Sequence, residues 1–235
     1  PLNLAMNRGE KVMNQAFIHK SAITLLVGAG PTSKEMILSS SAYASSVVAA
    51  DGGFNAATDV GLDVAIVVGD MDSQSKPFGS QNFLEMKEQD TTDFEKCLQV
   101  CDAEVFLGVG FLGGRLDHQM AAFSALLRDK RAIILIDTYQ LVFIVPSDFH
   151  LNLEHGTEVA FYPLVGLRAD AVGLQWPLDD VEMAPGELIS TSNKVDGTFL
   201  KLKVNRHGLL AILPVGCLEP VLKELRTEGF AKGSN

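Results

Sequence analysis

Val47-Val48-Ala49-Ala50-Asp51-Gly52-Gly53 and, after a polar interval, Val64-Ala65-Ile66-Val67-Val68-Gly69-Asp70-Met71-Asp72-Ser73 carry the signal that decides the fold. Each is a short aliphatic run that ends on glycine and aspartate. Runs of this length with no polar alternation are expected of strands buried on both faces, as in a parallel sheet. Similar runs lie at Ile23–Val27, Val105–Val109 and Ala132–Ile136. Between them Phe94, Cys97, Leu98 and Cys101 recur at helical spacing, and Leu116, Met120, Phe123 and Leu127 do so again. Both stretches are predicted to be amphipathic helices packed on the sheet by those residues.

After Pro146 the pattern changes to short strand-like runs, His150–Leu153, Glu158–Pro163, Leu188–Thr191, Thr198–Val204 and Leu209–Leu213, separated by Gly, Asn and Asp. Val195–Thr198 and Asn205–Gly208 are the clearest turns among them. The expected fold is an α/β N-terminal domain with a parallel Rossmann-like sheet, plus an all-β sandwich C-terminal domain. The expected division is 1–20 as a poorly specified leader, 21–145 as the α/β domain and 146–235 as the sandwich.

Composition narrows the function. The chain has 235 residues, 47% hydrophobic and 20% charged, with a net charge of −10. That is ordinary for a folded protein and unfavourable for nucleic acid, since no Lys/Arg cluster offsets the negative field. The longest apolar stretch, Ala132–Val145, is interrupted at Asp137–Gln140, as two strands would be, so no membrane span is expected. The first residues lack the apolar core of a secretory signal. Cys97, Cys101 and Cys217 form no CxxC pair and are expected to be reduced core thiols in a cytoplasmic protein.

Acidic residues fall where the strands are expected to end. Asp51 follows one run, Asp70 and Asp72 the next, and Gly113-Gly114-Arg115-Leu116-Asp117-His118 a third. The carboxyl ends of parallel strands form the ligand crevice, so these carboxylates should share one rim. Clustered carboxylates repel unless a cation sits among them, and hard oxygen donors suit Mg²⁺ completed by phosphate oxygens. Taken singly, each Gly-Asp pair is equally well explained as turn chemistry. Thr92 and Glu95 make a capping box that opens the first helix, with Asp90 and Asp93 adding acid there.

Gly28-Ala29-Gly30-Pro31-Thr32-Ser33 has Ser33 in place of the third glycine of a dinucleotide fingerprint and reads as a tight strand-to-helix turn. No GxxxxGK[ST] motif is present, so a nucleotide must be held by another arrangement. Arg115 suits a phosphate or a carboxylate, and His118 is better explained as a structural residue opening a helix.

In order, Ala50–Gly53, Gly69–Ser73, Gln89–Asp93, Gly114–His118, Gly173–Leu178 and Ser190–Asn193 resemble the motifs of the thiamine pyrophosphokinase family, over nearly all of Ile23–Leu213. The resemblance implies a homodimer that transfers diphosphate from ATP to the hydroxyl of thiamine, with the active site at the subunit interface. It implies Mg²⁺ on Asp70, Asp72 and Asp93. Asp51, Gln89, Asp90, Thr92, Arg115 and Asp117 would line the nucleotide, and Ser190, Ser192, Asn193 and Trp176 would meet thiamine. Arg115 would offset charge at the reacting phosphoryl, and Asp117 is the candidate acceptor for the hydroxyl proton. Trp176 is either a stacking surface or a core residue.

A metal-dependent nucleotide-sugar or nucleotidyl transferase would explain the Asp70–Asp72 pair but neither Asp93 nor Ser190–Asn193. An aspartyl phosphatase would place its Asp-x-Asp after the first strand. A non-catalytic nucleotide or thiamine sensor would not need every acidic position, because unpaired carboxylates destabilise a fold.

Overall fold

The computed structural model describes residues 19–69, 82–88 and 90–231. In chain order the N-terminal half runs β1 His19–Val27, α1 Lys34–Ser41, β2 Ser46–Ala50, a 3-10 turn Asp51–Gly53, α2 Phe54–Asp59, β3 Ile66–Gly69, β4 Asn82–Glu85, α3 Asp93–Val100, β5 Cys101–Val109, α4 Leu116–Arg128 and β6 Ala132–Ile136. It continues with β7 Gln140–Ile144, β8 Asp148–Asn152, β9 Glu158–Pro163, β10 Leu167–Val172, β11 Leu178–Met183, β12 Ser190–Lys194, β13 Phe199–Val204, β14 Leu209–Pro214 and α5 Leu218–Ala231.

The aliphatic runs are parallel strands, paired in the order β6-β5-β1-β2-β3-β4. Successive side chains point to opposite faces, so each run builds two cores at once. Leu25, Val27, Ala49 and Leu107 face a cluster that includes Ile37 of α1, Phe54 and Ala57 of α2, and Val221 and Leu225 of α5. Leu26, Val48, Val68 and Phe106 face a second cluster that includes Phe94, Cys97 and Leu98 of α3 and Ala125 and Leu126 of α4. Helices therefore cover both faces of the parallel strands.

Helix α3 agrees with its predicted stripe, but α4 does not. Leu116 is 70% and Met120 54% exposed, while Ala122, Ala125 and Leu126 are the buried positions. The sheet takes the neighbouring stripe of α4, where two alanines let the backbone come close.

The parallel sheet does not stop at β6. Antiparallel β7, β14, β9 and β12 extend it to ten strands, and β11-β10-β13-β8 form a separate antiparallel sheet. Phe143 and Phe161 of the large sheet share a core with Phe149, Ala169, Leu200 and Leu202 of the small one, with the Phe143 and Phe149 rings 5.4 Å apart. This is the expected sandwich, built from the continuation of the α/β sheet.

Both predicted turns are present, at Gly197 with φ +102° and Gly208 with φ +135°. They do not make hairpins, because each joins β13 of the small sheet to a strand of the large one. Strands β4, β10 and β11 and helix α5 had no counterpart in the sequence reading. Strand β10 carries a clean alternation, with Leu167, Ala169 and Ala171 inside and Arg168, Asp170 and Val172 outside. All three cysteines are free and buried. Burial pushes the Cys101 thiol up to about 12, which leaves it unreactive. Among the described residues no helix is long and apolar enough to cross a membrane.

Candidate active site

A cleft of about 530 Å³ opens at the carboxyl ends of the central parallel strands, lined by Gly30 and Pro31 after β1, Ala50 of β2, Gly110 and Phe111 after β5, and the start of α3. Its back wall forms because the β1–β5 pairing runs past the strands. Gly28 N–H donates to the Val109 carbonyl at 2.8 Å and Gly30 N–H to the Gly110 carbonyl at 2.9 Å. A Cβ on Gly30 would lie 2.5 Å from the Gly110 oxygen, so this approach needs glycine. Ser33 then caps α1 by accepting from Met36 N–H, which makes the Gly28–Ser33 segment the tight turn predicted.

Thr92, Asp93 and Arg115 line the cleft together. Thr92 and Glu95 form the predicted capping box: Thr92 N–H donates to Glu95 Oε2 at 3.1 Å, and Glu95 N–H to Thr92 Oγ1 at 3.3 Å. The Thr92 hydroxyl is therefore engaged in opening α3, and Asp93 is the residue this cap projects. Asp93 is half-exposed, with Oδ1 3.5 Å from the Lys96 ammonium. Lys96, which the sequence reading passed over, is buried and lines the same cleft. Its signal was available: a lysine three residues after an acid, between Phe94 and Cys97 of an apolar stripe.

Arg115 and Asp117 make a paired fork, Nε to Oδ1 at 3.1 Å and Nη2 to Oδ2 at 2.5 Å. Bonding to Arg115 holds the Asp117 carboxyl below its ordinary value, so it stays ionised and is a weak proton acceptor while so held. Asp51 is buried, one residue beyond Ala50 of the cleft wall. Asp90 is exposed and is not among the lining residues. Asp70, Asp72 and Gln89 lie outside the described residues. Among the described residues no three His, Cys, Asp or Glu side chains cluster as a metal site. The carboxylate that Asp93 presents at the cleft is a hard oxygen donor, which fits a hard cation.

The remaining predicted residues sit elsewhere, on and beside edge strand β12. Asn193 is buried, and its amide is fully occupied. Oδ1 accepts from Trp176 N–H at 3.2 Å and Lys194 N–H at 2.8 Å, and Nδ2 donates to the Trp176 carbonyl at 2.7 Å and Ser190 Oγ at 3.2 Å. Asn193 thus pins the Trp176 backbone, and the indole stands 54% exposed, which overturns its reading as a core residue. The β12–β9 register shifts between Ser190 and Asn193, and Ser192 has φ +58°, a bulge that turns an exposed serine out of the ladder. In sheet order β12 is five strands from β5, roughly 24 Å at the usual spacing.

The family profile described as "Thiamin pyrophosphokinase, catalytic domain" matches residues 39–136, and that described as "Thiamin pyrophosphokinase, vitamin B1 binding domain" matches 147–207. A thiamin pyrophosphokinase of Caenorhabditis elegans is 32% identical over 167 residues, 63% of this chain and 69% of that protein. The chain belongs to the thiamin pyrophosphokinase family. A rice thiamine pyrophosphokinase is 32% identical over 154 residues, 55% of this chain and 58% of its own length.

Solved structures of the family share the fold. The thiamin pyrophosphokinase of Geobacillus thermodenitrificans superposes with a TM-score of 0.71 at 21% identity, covering 83% of this chain and 99% of that one. The yeast thiamin pyrophosphokinase does so at 0.68 and 14% identity, covering 93% and 96%. The metal-dependent transferase, aspartyl phosphatase and sensor readings are not favoured by these findings.

Proposed function

We propose that this chain transfers the diphosphate of ATP to the hydroxyl of thiamine, giving thiamine diphosphate and AMP. The observation that carries the reading is the cleft in which Thr92, Asp93 and Arg115 meet at the carboxyl ends of the parallel strands of a thiamin pyrophosphokinase-family chain. In this reading residues 21–145 form the ATP and metal half, with the parallel sheet as a Rossmann-like nucleotide cradle, and 146–235 form the thiamine half.

Phosphoryl-type transfer asks a protein mainly for positioning and charge neutralisation. Mg²⁺, when bound by Asp93 with Asp70 and Asp72, supplies charge neutralisation on the triphosphate. Arg115 exchanges its Asp117 partner for a phosphoryl oxygen, and the released Asp117 becomes a better proton acceptor for the thiamine hydroxyl. Asp51, beneath the rim, would complete the nucleotide half with Gln89 and Asp90, which precede α3 in the sequence, Asp90 acting from outside the cleft lining. Ser190, Ser192 and Trp176 meet thiamine, with Asn193 holding Trp176 in place.

The two halves are too far apart in one chain to share a substrate, because five strand spacings separate β12 from β5. A homodimer that brings β12 of one copy to the cleft of the other closes this gap. Exposed Tyr162, Trp176, Leu188 and Ile189 around that edge supply apolar surface for the contact. A reducing cytoplasmic setting suits the buried free thiols.

The decisive experiment is to incubate the purified chain with thiamine, ATP and Mg²⁺ and identify both products. Thiamine diphosphate with AMP, lost on chelation and in Asp72→Asn, is expected. ADP with thiamine monophosphate, or no turnover, would overturn the reading.

A further inference from the structure

We propose that Lys96 is a nucleotide-phosphate contact held in reserve by Asp93: its ammonium pairs with the carboxylate and moves to a phosphate oxygen when the nucleotide and its cation bind. The inference deepens the proposed function and rests on it.

Lysine is almost never fully buried unless paired. Lys96 is 3% exposed, and Asp51 is the other charged residue buried to this degree among the described residues. The usual explanation of a half-buried lysine, a stem on apolar surface with the head in water, does not apply, because its whole side chain is 4% exposed. Nor does the pair with Asp93 account for a lysine here, since Asp93 is half-exposed and an ion pair open to solvent on one side adds little stability. Phe94, Cys97 and Leu98 already anchor α3 to the sheet.

The placement points to a ligand. Lys96 lines the cleft, and its described charged partner, Asp93 at 3.5 Å, is also the carboxylate placed to bind a cation. A cation on Asp93 repels the ammonium that neutralised it, and lysine's four-carbon stem lets the charge swing to an incoming anion. Arg115, the other Lys or Arg lining the cleft among the described residues, is 73% exposed and tied to Asp117, so of these two cations Lys96 is the buried one.

Exchange of partners predicts effects of opposite sign on the two ligands. In Lys96→Met, Mn²⁺ alone should bind about two- to tenfold more tightly, because the competing charge on Asp93 is gone. ATP with Mg²⁺, measured without thiamine, should bind about 10- to 100-fold more weakly, and Lys96→Arg should recover part of that loss. Thermal unfolding reports whether each variant is folded, and Lys96→Gln replaces the methionine variant if it is not. Unchanged ATP affinity, or ATP and Mn²⁺ affinities that fall together, would overturn the exchange. A wild-type chain that binds ATP but forms no thiamine diphosphate would defeat the proposed activity, while the Lys96 test would still be read from binding.

Discussion

Gly69, the last residue of β3, packs so closely on Asp51 that a methyl group at residue 69 would lie 2.4 Å from the Asp51 Cβ. Strands β2 and β3 are in register with Ala50 opposite Val68, so the two strands end side by side. Gly69→Ala must push Asp51 or the exit of β3 aside. Overpacking of this kind costs about 1–3 kcal/mol. Turnover should fall further than the lost stability explains, which urea denaturation alongside an AMP-release assay will show.

The capping box at Thr92 opens α3 and aims Asp93. Thr92→Ala should lower stability by about 1 kcal/mol. Because the hydroxyl is used within the box, ATP affinity should change less than in Asp93→Asn. A shift of the urea midpoint at constant slope is the readout for stability.

Arg131 fastens the end of α3 to the start of β5. Its guanidinium donates to the Leu98 carbonyl at 2.8 Å and the Cys101 carbonyl at 2.7 Å, lies 4.6 Å from the Phe106 ring centroid, and pairs with Asp129. Arg131→Ala should cost about 2–4 kcal/mol. Lysine cannot rebuild this fork, so Arg131→Lys should recover little in the same denaturation assay.

Burial pushes the Asp129 carboxyl up, but its bonds from Arg131 outweigh this and hold it below its ordinary value. A carboxyl depressed in the folded state stabilises the protein above the unfolded value of about 3.9, and that stabilisation is lost as pH falls through the lower folded value. Urea midpoints measured downward from pH 6 should therefore drop more steeply for the wild type than for Asp129→Asn at the acid end. Equal slopes would remove Asp129 from the acid response.

Ile189 is exposed beside edge strand β12. If that edge meets the cleft of a second copy, Ile189→Asp should shift the chain to monomer in light scattering and abolish thiamine turnover. ATP binding to the separate cleft should persist. A variant that stays dimeric and active would place the interface elsewhere.

Much of the fold could be read from local pattern. The runs that became β1, β2, β3, β5 and β6 are apolar on both faces, which only a covered parallel sheet accommodates. The Thr92–Glu95 box marked the start of α3 because capping is a contact between residues three apart. The motif order that identified the family is also a property of the chain read in line.

Tertiary structure decided what depends on distant partners. Helix α4 carries two apolar stripes, and the sheet selected Ala122, Ala125 and Leu126 over Leu116 and Met120, a choice that periodicity within the helix cannot make. The turns at Gly197 and Gly208 look alike whether they close a hairpin or cross between sheets; pairing of β12 with β9 settled the first, and pairing of β14 with β7 and β9 the second. Burial of Lys96 and the wide separation of β12 from β5 likewise follow from non-local packing and strand order. Local periodicity specifies which residues can form an element, and competition among all elements for buried surface specifies which face and which neighbour each one takes.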